Sequence, residues 1–133
     1  MKYVKICAGE DGISRFVDET WPTFDGEFTP PSPAGYTVTN TMRAKGVLMM
    51  HHPAGYRDDW HCAPAPVLGT VLNGSVRIRT GDGDARLLVA GDQFLAIDLT
   101  GSGHIMEEVD AEPYDLALVV LDSVPDASPA GEP

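Results

Sequence analysis

The chain has 133 residues, a formal net charge of −11, 43% apolar residues, 14 glycines and 11 prolines. That length holds one domain with a single core, and the apolar content argues against a disordered chain. Nucleic acid and anionic membrane surfaces both call for basic residues, and 9 of them against 20 acids argue against either partner.

The N-terminal MKYVKICAGEDG has no apolar stretch after its lysines, so no secretory signal is read and a cytoplasmic protein is expected. Residues 1–45 read as an irregular arm on the domain, with a short strand at Tyr3 to Ile6 and prolines 30, 31 and 33 that block ladder hydrogen bonds. From residue 46 the pattern turns to strand and turn, and 46–122 is expected to be the barrel. Gly46 to His52 is an apolar run closed by Pro53-Ala54-Gly55. Val67 to Asn73 ends at Gly74, and Ser75 to Thr80 alternates Val76 and Ile78 against Arg77 and Arg79, the period of a half-buried strand. The GDGD turn at 81–84 leads to Ala85–Val89, then Phe94–Asp98, the loop LTGSG, His104–Val109 and Asp115–Leu121. The last of these is apolar on both faces and is expected to lie centrally. Residues 123–133 read as a flexible acidic tail. Short strands without a convincing helix point to an all-β sandwich or barrel.

All four histidines, His51, His52, His61 and His104, lie in the strand-rich part. Histidine is the usual acid or base near neutral pH and the commonest metal ligand. His51 and His52 are adjacent on a strand, so only one can face the interior. Asp98 is read two ways, as a carboxylate orienting a histidine or as a cap on the LTGSG amides. Cys7 and Cys62 form neither a C-x-x-C pair nor a disulfide framework.

HCAPAPVLGTVLNGSVRIRTGDG followed by LLVAGDQFLAIDLTGSGH resembles the two motifs of the cupin superfamily. Gly74 matches the closing glycine of the first motif, Gly91 the opening glycine of the second, and His61 the first histidine slot; His104 matches the last with two extra loop residues. The second histidine slot holds Ala63 and the glutamate slot holds Val67. The chain also resembles small stand-alone bacterial cupins in Trp60-His61-Cys62-Ala63-Pro64, Leu72-Asn73-Gly74, Gly91-Asp92, the segment from Asp98 to His104, and Asp11-Gly12-Ile13-Ser14. The resemblance implies a single-domain jelly-roll β-barrel that binds a small molecule. It implies catalysis by His61, His104 and Asp98 in isomerisation, cyclisation or lyase chemistry. The alternatives are a metal-dependent dioxygenase and a non-catalytic binding or sensing module. A divalent metal (zinc, iron, manganese or nickel) would need His61 and His104 with a substitute such as His52, Asp98 or Glu108.

Strand alternation places Val67, Gly69 and Val71 inward, with Leu68, Thr70 and Leu72 outward; a homodimer or the arm would cover the latter. The expected substrate pocket combines the histidines with Val67, Val71 and Met106, and sets Phe94 and Trp60 at its mouth. Residues 87–133 carry ten acids and no Lys or Arg, which favours a cationic guest near His104.

Overall fold

The computed structural model describes residues 1–26 and 35–125. It contains eleven strands and no helix among these residues: β1 (Lys2–Ala8), β2 (Ser14–Thr20), β3 (Phe24–Asp25), β4 (Thr37–Val38), β5 (Ala44–His52), β6 (Val67–Asn73), β7 (Ser75–Thr80), β8 (Ala85–Val89), β9 (Gln93–Ala96), β10 (His104–Glu108) and β11 (Tyr114–Leu121). Among the described residues no helix is long and apolar enough to cross a membrane. The expected tail falls largely on 126–133, which lie outside the described residues.

Six strands form one sheet in the order β2-β1-β9-β6-β11-β5, and three form a second in the order β10-β7-β8. The short β3–β4 ribbon stands apart. Inward residues of both sheets meet in one core: Ile6, Val71, Phe94 and Leu116 from the large sheet pack with Val76, Ile78 and Met106 from the small one. This is a two-sheet all-β architecture. The expected closed barrel is not formed among the described residues, because no strand ladder joins β10 or β8 to the large sheet.

Residues 1–45, expected as an irregular arm, open instead with a regular hairpin. β1 and β2 pair antiparallel from Lys2↔Thr20 to Ala8↔Ser14, and β1 also runs parallel to β9. Alternation explains it: Val4 and Ile6 point into the core while Tyr3 and Lys5 point out, so the segment buries one face like any other strand. Only the part after β2 behaves as an arm. Trp21 stacks on Tyr3 and donates to Gln93 on the outer face, and Phe24, Val38 and Met42 lie over Leu68, Val119 and Leu121. The outward setting of Leu68 is therefore met by the arm, while Leu72 stays exposed.

Three strands cannot cover six. On the side of β11 and β5 the facing cover is the segment after His52 instead of a strand, and the space left between them is the cavity described next.

Candidate functional site

The loop that carries His104 is built by close backbone approaches that only glycine permits. Gly103 has φ +73°, and a Cβ there would sit 2.3 Å from the His61 carbonyl oxygen. Without that side chain, His61 and His104 exchange both backbone hydrogen bonds, at 3.0 and 2.9 Å. The Ala63 amide donates to the Asp98 carbonyl at 3.1 Å, so residues 61–63 run beside both ends of the loop. A Cβ on Gly101 would meet the Gly12 carbonyl oxygen at 2.2 Å, and that carbonyl accepts from the Ser102 amide at 2.8 Å.

Ser14, fully buried, locks the other side. Its hydroxyl donates to the Gly103 carbonyl at 2.6 Å and accepts from the Gly81 amide at 2.8 Å, while its amide donates to Ser102 Oγ at 3.0 Å. The Asp11-Gly12-Ile13-Ser14 turn is thus the backing of the histidine loop.

These contacts fix two imidazoles beside each other, with ring centroids 4.7 Å apart and planes tilted by 56°. His104 is buried, and its Nδ1 lies 2.6 Å from Oδ2 of Asp98, which is fully buried. Asp98 follows the end of β9, and its carboxylate takes the imidazole instead of capping the LTGSG amides; its Oδ1 has no partner. His61 is 44% exposed, with Nδ1 donating to the Asp59 carbonyl at 2.6 Å and Asp58 at 3.6 Å. Both rings thus offer Nδ1–H to an acceptor, which leaves Nε2 as the bare, basic nitrogen in each.

A cavity of about 320 Å³ opens beside them. His52, His61 and His104 line it with Asp58 and Tyr56, and the remaining wall is apolar, made by Leu48 and Met50 of β5, Val67 of β6, Phe94 and Ala96 of β9, Met106 of β10 and Leu116, Leu118 and Val120 of β11. Two other hollows lie against the arm on the opposite face and contain no histidine or carboxylate.

His52 is the inward member of the adjacent pair. His51 points out and binds Asp115 at 2.6 Å. His52 Nδ1 is hydrogen-bonded to the hydroxyl of Tyr114, which is buried and rises from the first position of β11. Burial, more than its neighbours, holds the His52 imidazole below its ordinary pKa, and burial pushes the Tyr114 phenol well above its usual range.

The cavity wall brings together His52, His61, His104, Val67, Phe94 and Met106, with Asp98 directly behind His104. Phe94 sits deep rather than at the mouth. Val71 is buried in the core away from the wall, because the cavity is confined to the β5 side of the sheet. Trp60 is 47% exposed and points elsewhere, since the 53–66 segment is not a regular strand and does not alternate. Cys62 faces the Gly101 carbonyl.

Among the described residues no three His, Cys, Asp or Glu side chains converge as a metal-ligating group. Ala63 and Val67 present alkyl groups to the cavity. Of the residues expected to hold a divalent metal, His61, His104 and His52 line the same cavity. Of the acids near His104, Glu107 pairs with Arg79 at 2.9 Å and Glu108 turns to the Gly55 amide, and among the described residues Asp58 is the carboxylate on the cavity wall.

Sequence reasoning missed Tyr114, Tyr56 and Asp58. Alternation along DLALVVL could have placed Leu116, Leu118 and Val120 on one face; nothing local marks the two loop residues.

No family model matches the chain, and no curated protein matches it. Among solved structures it is similar to a Salmonella typhimurium protein described as a candidate ethanolamine utilization protein Q, at 13% identity and a TM-score of 0.42, over 93% of this chain and 98% of that one.

Proposed function

We propose that this chain is a single-domain cupin of the jelly-roll type that binds a small, largely apolar molecule and moves a proton on it. The observation that carries this reading is the pair of imidazoles at the cavity wall, each with Nδ1 against an acceptor, which in the neutral ring puts the hydrogen on Nδ1 and leaves the lone pair on Nε2. His104 is the base. Asp98 fixes its tautomer and ring plane and stabilises the imidazolium that forms when Nε2 takes a proton, the role a buried carboxylate plays behind catalytic histidines. His61, at the exposed edge of the cavity, is the group that exchanges that proton with solvent. The apolar wall keeps the reacting carbon out of water, and no step depends on a metal.

The test is proton exchange in D₂O. Small apolar carbon acids are incubated with the protein, and loss of the C–H signal is followed by NMR. Compounds that bind exchange, and His104→Ala slows exchange by about a hundredfold or more, in line with the usual contribution of a positioned acid or base. Asp98→Asn, which reverses the preferred tautomer, has an effect of similar direction. Binding without exchange, or exchange undiminished in His104→Ala, overturns the catalytic reading and leaves the cavity a binding site.

A further inference from the structure

His52 and Tyr114 form a second polar pair at the cavity, which proton abstraction by His104 does not itself use. His52 is a cavity-lining residue, with its ring edge-on to Tyr114 at 4.6 Å between centroids and tilted over Tyr56 at 4.5 Å. The Tyr114 hydroxyl has His52 Nδ1 as its hydrogen-bond partner and is buried. A buried hydroxyl proton needs an acceptor, and Nδ1 is the one available. If Nδ1 carried its own hydrogen, two donors would face each other and one would be left unpaired at a cost. The satisfied arrangement therefore has Tyr114 O–H donating to Nδ1, with the hydrogen of His52 on Nε2. Burial keeps His52 uncharged at neutral pH, so this is a neutral N–H donor.

The three histidines are thus of two kinds. His61 and His104 have an acceptor behind Nδ1 and present a lone pair, whereas His52 has a donor behind Nδ1 and presents N–H. We propose that His52 Nε2–H is the hydrogen-bond donor for a carbonyl oxygen of the substrate, with Tyr114 as the positioning residue that fixes its tautomer, so that the substrate class is a small apolar carbonyl compound with an acidic C–H beside the carbonyl. This rests on the proton-transfer reading. The C–H proton passes to His104 Nε2, the electron pair left on carbon delocalises onto the carbonyl oxygen, and His52 stabilises that enolate by hydrogen bonding. Return of the proton to the same carbon completes an exchange, and in a β,γ-unsaturated carbonyl compound its return to the γ carbon of the dienolate completes an isomerisation, with no other reactant consumed. A donor aimed at the oxygen where charge develops is the usual source of such stabilisation.

Two measurements test it. In ¹⁵N-labelled protein above the histidine titration range, long-range proton–nitrogen correlation spectra report the tautomers. His52 is expected as the Nε2–H form and His61 and His104 as Nδ1–H forms; in Tyr114→Phe, His52 alone loses its preference. Acetophenone is then bound, and its carbonyl stretch is read by infrared difference spectroscopy. The stretch shifts to lower frequency in the wild type, the shift disappears in His52→Phe, and affinity falls about fivefold, the value of one ordinary hydrogen bond. An Nδ1–H tautomer for His52, a Tyr114→Phe spectrum like the wild type, acetophenone that does not bind, or a carbonyl shift indifferent to His52 each overturns the inference. These outcomes are separable from failure of the catalytic reading, which is decided by exchange in His104→Ala.

Discussion

Ser14 is the residue on which the geometry of His104 most depends without touching the cavity. Its hydroxyl joins the Gly103 carbonyl to the Gly81 amide in a fully buried place. Ser14→Ala leaves both of those backbone groups unpaired, and each buried orphan costs roughly 1–3 kcal/mol. The expected loss in urea unfolding is therefore of that size or somewhat larger, and the His104 ring signals should shift more than those of His52. Unchanged stability would mean that the loop closes on its own. At this scale the sequence is readable where a motif ties residue type to position, as it does for His61, His104 and Asp98; the Asp-Gly-x-Ser element is visible as a motif, but its role as backing for the histidine loop is not. Tyr114, Tyr56 and Asp58 were not readable. Tyr114 opens a strand whose apolar run draws attention to packing, and the other two depend on how an irregular segment folds back over the sheet, which no local pattern encodes.

Among the elements, the β6–β9 pair shapes the floor of the cavity. Gly69 lies opposite Phe94 in the antiparallel register, and a Cβ at Gly69 would sit 2.2 Å from the Phe94 ring. The ring lies across the strand in the space that a side chain would need. Gly69→Ala must displace Phe94, and because both residues are buried the displacement goes toward the cavity that Phe94 lines. Overpacking of this kind costs about 1–3 kcal/mol, so thermal unfolding should move down while acetophenone binding weakens or is lost. Normal binding at reduced stability would place the displacement elsewhere. The strands from β5 onward were legible because alternation and glycine turns mark them, and β6, β7 and β8 match their expected bounds residue for residue. The N-terminal hairpin is harder to read because β1 also pairs in parallel with β9, a partner ninety residues distant in the chain. Barrel closure was overestimated for the same reason: sheet partners are long-range facts that strand patterns leave open.

Charge acts on the whole molecule, and its pH dependence has two separate origins. Asp11 is held below its usual pKa chiefly by the Ile13 amide, Asp18 by Arg86, Asp82 by the Thr80 hydroxyl and Asp115 by His51. A carboxyl with a depressed folded-state pKa adds stability that is complete above its unfolded value, near 3.9, and is lost as pH falls through the folded value. These groups are exposed, so each contributes little and the loss lies below about pH 4. His52 acts earlier. Its pKa is lowered by burial, so the unfolded chain binds the proton more readily than the folded one. Stability from this group is complete above about pH 6.5 and is lost as pH falls below it. Self-repulsion in a chain of net charge −11 works the other way, easing as acids are neutralised. Salt of about 0.15 M screens exposed charges beyond roughly 8 Å, which suppresses the repulsion and leaves the buried histidine largely unaffected. Urea unfolding at that salt should therefore show stability declining between about pH 7.5 and 5.5, well before the carboxylates titrate. His52→Gln, which keeps an N–H donor but has no proton to gain, should flatten the part of the decline due to His52. A wild-type curve that is level down to about pH 5, or a His52→Gln curve as steep as the wild type, would show that His52 is not the buried neutral donor on which the cavity chemistry depends.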